Sequence, residues 1–233
     1  MTISTKDIKC LLIGVSGYPG AGKDDLILKA LHTSILLRRD KFAFPLQDLV
    51  AELAGINTFD NSHRNLFDNR EWKETYPLLN IDGNTWTPRQ TLQKVGQGFR
   101  EIFGKNIWVN KAVESAASHP KQVVCYFTDM RYQAEFDMIK EAGGITIFID
   151  RPEAEQAALA NPVFNHESES FLPTLKTQCD LIIDNSGSLE EYECQIERLA
   201  RMLTVNNSQG FLVRNKAAQE ALIGLFSTWT TGH

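Results

Sequence analysis

Short, nearly continuous apolar runs alternate along this chain with longer segments whose apolar residues recur at helical spacing. The run Ile8-Lys9-Cys10-Leu11-Leu12-Ile13-Gly14-Val15 comes first, and its composition is that of a strand covered on both faces. Lys121–Phe127, Ile145–Ile149 and Leu181–Ile183 repeat the pattern, and Phe42–Phe44 is a shorter strand candidate. Helical periodicity predicts helices over Asp24–Leu37, Pro45–Leu53, Pro88–Phe103, Ile107–Ser118, Tyr132–Ala142 and Leu189–Leu203. Pro45 sits in a first turn, where its missing N–H costs nothing, and Gly143-Gly144 supplies a helix stop. Strand and helix in this alternation predict an α/β fold, a parallel sheet with helices on both faces.

Residues 1–205 read as one such domain. Gly55–Thr87 breaks the pattern, being polar, aromatic and irregular, with Phe59, Phe67, Trp72, Tyr76 and Trp86 among many charges. With the helices that follow, it predicts an insertion over about residues 55–118. Residues 151–171 read as a lid-like loop with a short helix. Residues 206–233 form a tail: a polar linker, Asn206-Asn207-Ser208-Gln209, then an apolar helix over Phe211–Phe226. That helix either docks on the domain or serves as a dimer contact, so a homodimer stays open.

Composition narrows the function classes. A formal net charge of -5 argues against a protein held on a nucleic-acid polymer by bulk electrostatics. A single nucleotide needs only a few placed cations and amides, so it stays allowed. No apolar run reaches transmembrane length, which argues against a membrane role. Cys10, Cys125, Cys179 and Cys194 show no C-x-x-C spacing, and Met1–Lys9 has no signal-peptide core. Buried reduced thiols and a cytoplasmic location are expected.

Gly17-Tyr18-Pro19-Gly20-Ala21-Gly22-Lys23 matches G-x-x-x-x-G-K, directly after an apolar strand and directly before a helix. Glycines let the backbone wrap phosphate oxygens closely, and the helix N-terminus adds partial positive charge. Lys23 adds a full charge for the β- and γ-phosphates. The motif points to a P-loop NTPase three-layer fold. The residue after Lys23 should carry a hydroxyl to hold Mg²⁺; here it is Asp24, followed by Asp25. Asp24 either contacts Mg²⁺, directly or through water, or the two acids simply favour the first helical turn.

A second acid, Asp129, ends the apolar run Val123–Phe127 through Thr128, where such enzymes place a metal-orienting carboxylate. Arg131 can reach the same crevice; a helix N-cap is the alternative reading of Asp129, and the strand before it favours the site role. On the helix Pro88–Phe103, Arg89, Gln93 and Gly96 share a face and Arg100 follows. On spacing alone this is a solvated polar face, but two arginines, an amide and a gap also suit a phosphate and a base edge. Arg151 follows the third strand, where a cation can close over phosphates or merely face solvent.

Four segments together resemble the deoxynucleoside monophosphate kinases of tailed bacteriophages. They are Gly22-Lys23-Asp24, Arg89–Gly96 continuing to Arg100, Gly104 and Ile107-Trp108-Val109, Thr128–Tyr132 with Glu135 and Gly143-Gly144, and His166-Glu167-Ser168-Glu169. They run in order from about residue 8 to residue 200. Asp25 departs from the pattern, as does Phe44 before Pro45, where an acid is expected.

The resemblance implies transfer of the ATP γ-phosphate to a deoxynucleoside monophosphate (dNMP) with Mg²⁺, in the host cytoplasm if the chain is phage-encoded. It implies ATP contacts at Gly17, Gly20, Ala21, Gly22, Lys23, Asp24 and Asp25. Arg89, Gln93, Gly96 and Arg100 would hold the acceptor, with Trp72 a stacking candidate and His166 and Glu169 in the closing region. Asp24 and Asp129 would serve the metal, and Arg131 and Arg151 would balance charge. The alternatives are a kinase of another small phosphorylated metabolite and a non-catalytic nucleotide binder.

Overall fold

The computed structural model describes residues 3–24, 36–160, 170–207, 210, 212 and 215–230. Two compact units are distinguished, Met1–Lys41 with Val113–His233, and Phe42–Ala112.

The first unit is built on five strands: β1 (Leu11–Ser16), β2 (Leu37–Asp40), β5 (Val124–Phe127), β6 (Ile145–Asp150) and β7 (Leu181–Asp184). They pair in parallel in the order β2-β5-β1-β6-β7, which puts β1 at the centre. Every residue of β1 and β5 is buried, which is why these strands show as unbroken apolar runs. Gly14 in β1 is required by packing: a Cβ there would fall 2.7 Å from Met130 Sδ and 3.0 Å from Ile139. The sheet is flanked by helices of the same unit, α6 (Gln133–Glu141), α7 (Pro152–Ala160), α8 (Leu172–Gln178), α9 (Leu189–Asn206) and α10 (Lys216–Thr230).

One strand lies elsewhere than the pattern predicts. Phe42 and Ala43 form a turn and Phe44 opens a helix, whereas the edge strand is Leu37–Asp40. Three charged residues in succession, Arg38, Arg39 and Asp40, conceal that strand from an apolar count. Asp40 is nevertheless buried, because its carboxylate accepts from Lys41 N–H at 2.8 Å and from Ser115 Oγ at 2.9 Å. The helix expected over Asp24–Leu37 lies largely outside the described residues.

The tail helix starts later than its apolar content predicts, at Lys216, and it docks on the first unit. Gln219 Nε2 donates to Gly143 O and Leu212 O at 2.7 Å each, and Leu222 and Phe226 are buried. No disulfide joins the described cysteines, and burial pushes the Cys10 and Cys179 thiols up to about 12. Cys194 is exposed rather than buried, because it lies on the outer side of α9. No described helix is long and apolar enough to cross a membrane.

The second unit holds α1 (Phe44–Leu53), α2 (His63–Asp68), α3 (Arg70–Thr75), the hairpin β3 (Leu79–Ile81)–β4 (Asn84–Trp86) and α4 (Pro88–Phe103). The helix α5 (Ile107–Ala117) crosses the boundary between the units. The segment expected to be irregular is therefore ordered, in helices too short for periodicity to reveal. Asp82 and Gly83, both at positive φ, make the tight hairpin turn. Thr87 and Gln90 cap α4 reciprocally, and Pro88 occupies its first turn. Val50, Ala51 and Phe67 form the core, with Leu92 and Val95 of α4 packed on it.

Candidate phosphate-transfer site

Beyond Ser16 the backbone of the first unit turns through Gly17 (φ +146°), Gly20 (φ +85°) and Gly22 (φ +93°), values that favour glycine. Space adds to this at two of them. A Cβ on Gly17 would lie 2.7 Å from Ile149 O, and one on Gly22 would lie 2.9 Å from Asn185 Nδ2 and 3.0 Å from the Tyr192 ring.

The loop carbonyls are held by side chains of the loop's own Lys23 and of residues far along the chain. Lys23 Nζ donates to Gly17 O at 2.7 Å and Tyr18 O at 2.8 Å. Arg151 reaches Gly20 O at 3.5 Å, Asn185 Nδ2 donates to Ala21 O at 2.9 Å, and Tyr192 Oη donates to Gly22 O at 2.9 Å. In a trans peptide the N–H points opposite to its C=O. Fixing Ala21 O and Gly22 O therefore turns the N–H groups of Gly22 and Lys23 the other way, as an anion-binding nest requires.

Asp24 lies among cations. Its carboxylate is 3.3 Å from Lys41 Nζ and 3.4 Å from Arg39 NH2, and Thr128 Oγ1 donates to it at 3.3 Å. Partial burial works to raise its pKa, but the Lys41, Arg39 and Lys23 charges outweigh that and hold it below the usual carboxylate range. Asp24 thus stays ionised at neutral pH, with oxygens of the kind Mg²⁺ takes.

Asp129 follows β5 and is half-buried. It is not the helix cap: α6 is capped from Tyr132, with Glu135 accepting from the N–H groups of Arg131 at 2.7 Å and Tyr132 at 3.0 Å. Arg151 is exposed at the end of β6. Asp25, His166 and Glu169 lie outside the described residues.

In the second unit, Arg89 pairs with Glu74 at 2.6 Å, while Gln93 is exposed and Arg100 half-buried. Gly96 does not leave a gap: a Cβ there would meet Leu46 at 2.9 Å, and its carbonyl accepts from Trp108 Nε1 at 3.2 Å. Trp72 is stacked on Tyr76 (5.2 Å between centroids) and edge-on to Phe67 (5.3 Å), so its ring is engaged in packing.

Sequence reasoning missed Arg39, Lys41, Asn185 and Tyr192, and it gave Thr128 no contact of its own. The first two were hidden with their strand; Asn185 and Tyr192 follow β7, and no spacing rule links them to a loop that far away in sequence. Asp40, His119 and Cys125 also bring O, N and S donors within 4.8 Å of one another. Burial pushes the Cys125 thiol up, so it stays protonated, and Asp40 is already engaged by Lys41 N–H and Ser115. That set is a packed polar core.

A G-x-x-x-x-G-K loop after the central strand of a parallel sheet defines a P-loop NTPase α/β fold. The chain belongs to the deoxynucleotide monophosphate kinase family, whose sequence model matches residues 23–196, well over half its length. A protein of Acanthamoeba polyphaga mimivirus, provisionally named deoxynucleotide monophosphate kinase, is 29% identical over 201 residues, covering 80% of this chain and 94% of that one. The deoxynucleotide monophosphate kinase of Escherichia phage RB69 is 24% identical over 182 residues, covering 77% and 68%. Family and relatives make this a phosphotransferase.

Among solved structures, TT1252 from Thermus thermophilus aligns at 17% identity and TM-score 0.41, over 84% of this chain and 98% of that one. Shikimate kinase from Aquifex aeolicus aligns at 15% and 0.40, over 86% and 99%.

Proposed function

We propose that this chain moves the γ-phosphate of ATP to a deoxynucleoside monophosphate, giving ADP and the deoxynucleoside diphosphate, with Mg²⁺. The observation that carries the reading is the loop whose carbonyls are bound by side chains, with Lys23 already in place. Its amides and Lys23 hold the ATP phosphates. An oxygen of the acceptor phosphate bonds to the γ-phosphorus as the bond to the β,γ-bridging oxygen breaks, and the electron pair leaves on ADP. The acceptor phosphate is ionised near neutral pH, so no strong base is needed, and catalysis rests on positioning and charge.

Asp24 and Asp129 would hold Mg²⁺, which would neutralise charge on the phosphates. Arg131 and Arg151 balance charge on the transferring group. Arg89, Gln93 and Arg100 hold the acceptor. The segment 151–171 is the candidate for excluding water.

The test is ADP release from ATP and Mg²⁺ with each dNMP offered in turn, against a control without acceptor. Turnover that requires a dNMP supports the reading. ATP binding without dNMP-dependent turnover sinks it and favours another acceptor.

A further inference from the structure

Helix α1 carries a buried carboxamide whose oxygen has no partner among the described residues. Gln47 is 5% exposed, and its Oε1 has no hydrogen-bond partner among the described residues. Leaving a buried acceptor unpaired costs folding free energy, and folded proteins keep few such groups without a reason.

Its neighbours are held firmly. Asp48 lies 2.7 Å from His63 Nε2 and accepts from Arg64 Nε and NH2 at 3.0 and 2.8 Å. Burial raises the Asp48 pKa, but the Arg64 and His63 bonds outweigh it and hold the carboxyl below its usual range. The Arg64 guanidinium sits 4.2 Å from the centre of the Phe44 ring. His63 Nδ1 is a second buried atom with no partner among the described residues.

Helical spacing locates the amide within this unit. At about 100° per residue, Gln47 lies between two faces of α1. Leu46 packs toward α4, beside Gly96. Phe44 and Asp48 meet α2. Gln47 thus stands at a seam bordered by the helix that carries Arg89, Gln93 and Arg100.

We propose that Gln47 is a specificity-determining residue for the acceptor, its Oε1 accepting from an N–H on the base edge of the dNMP. This rests on the dNMP reading given above. The missing partner of Oε1 is a donor. An ionised phosphate offers acceptors only, whereas the edge of each base carries an N–H. The 3′-hydroxyl of deoxyribose is the other donor, but it is common to all four acceptors and gives no discrimination. A site built around such a bond rejects a ligand that cannot make it.

Gln47→Leu keeps the size and removes both polar ends. Binding of each of the four dNMPs and of ATP is measured by titration, together with Tm. The expected result is an unchanged or raised Tm, unchanged ATP binding, and a loss of about 10- to 100-fold for the preferred dNMP. The affinity ratios among dNMPs collapse toward one. Unchanged binding of all four with a lowered Tm makes Gln47 a fold support and overturns the proposal. A uniform loss with unaltered ratios places it on the sugar and overturns the base-edge assignment. If Gln47→Leu fails to fold, Gln47→Met, unbranched like glutamine, takes the same measurements. Wild-type protein that phosphorylates no dNMP overturns the function first, and is told apart because that failure needs no variant.

Discussion

Asp24 stands where a hydroxyl is expected, and Asp24→Asn separates its two roles. The substitution keeps shape and removes a charge lying 3.3 Å from Lys41 Nζ and 3.4 Å from Arg39 NH2. At those distances each pair is worth about 1.2 kcal/mol in the dielectric of water. The Asp24 side chain is 58% exposed, and exposed pairs measure about 0.2–1 kcal/mol after screening. The variant is therefore expected to lose about 1 kcal/mol at neutral pH.

The sign with pH follows from the depressed pKa. The pairing is fully present above the unfolded carboxyl value of about 3.9, and it is lost as pH falls through the lower folded value. The Tm gap between wild type and variant should be full at neutral pH and close in strong acid. A Mg²⁺ titration of turnover reads the other role, with a right-shifted curve and a slower plateau expected. Mg²⁺ dependence and turnover equal to wild type would falsify the metal role and leave Asp24 as an ion-pair partner alone. A Tm gap that is the same in neutral and strongly acid solution would refute the pairing energy.

Lys23→Ala removes the charge aimed at the phosphates and should lower dNMP-dependent ADP release by about 100-fold or more; turnover within a few-fold of wild type would show that the loop is not the ATP site. Gly22→Ala forces a side chain at φ +93° against Asn185 and Tyr192, and should cost about 2–4 kcal/mol, read as a drop in Tm with weakened ATP binding. Arg100→Ala should raise the acceptor KM and leave that for ATP nearly unchanged; an effect confined to ATP would refute the acceptor role of Arg100.

Where burial was two-sided, the sequence was easy to read. β1, β5 and β6 are almost wholly buried and read as nearly continuous apolar runs, and α4 is bounded by Thr87-Pro88 and Gly104, so pattern and capping chemistry agree. The edge strand was hidden because edge strands bury little and tolerate charge, and Arg38-Arg39-Asp40 reads as surface. The loop glycines were legible, since each φ and each close approach demands glycine. Trp72 and Gly96 were harder: an aromatic or a glycine looks alike on a binding face and in a packed seam, and only the neighbours Phe67, Tyr76 and Leu46 decide. Asn185 and Tyr192 act on the loop from more than 160 positions away, a relation no local pattern encodes.

The charge balance at the loop explains how an acid can follow Lys23. A bare carboxylate beside bound phosphates would repel them, but Arg39, Lys41 and Lys23 all act on Asp24. Those three cations offset the Asp24 carboxylate in a chain whose formal charge is -5. Lys23 has three N–H donors, and Gly17 O and Tyr18 O take two of them. Those bonds fix the ammonium at the loop, so it is in position before phosphate arrives. Charge fixed in advance needs no reorganisation when the γ-phosphate moves, and electrostatic catalysis depends on that property. An Asp24 carboxylate offset in this way could offer Mg²⁺ an oxygen without cancelling the field that Lys23 supplies.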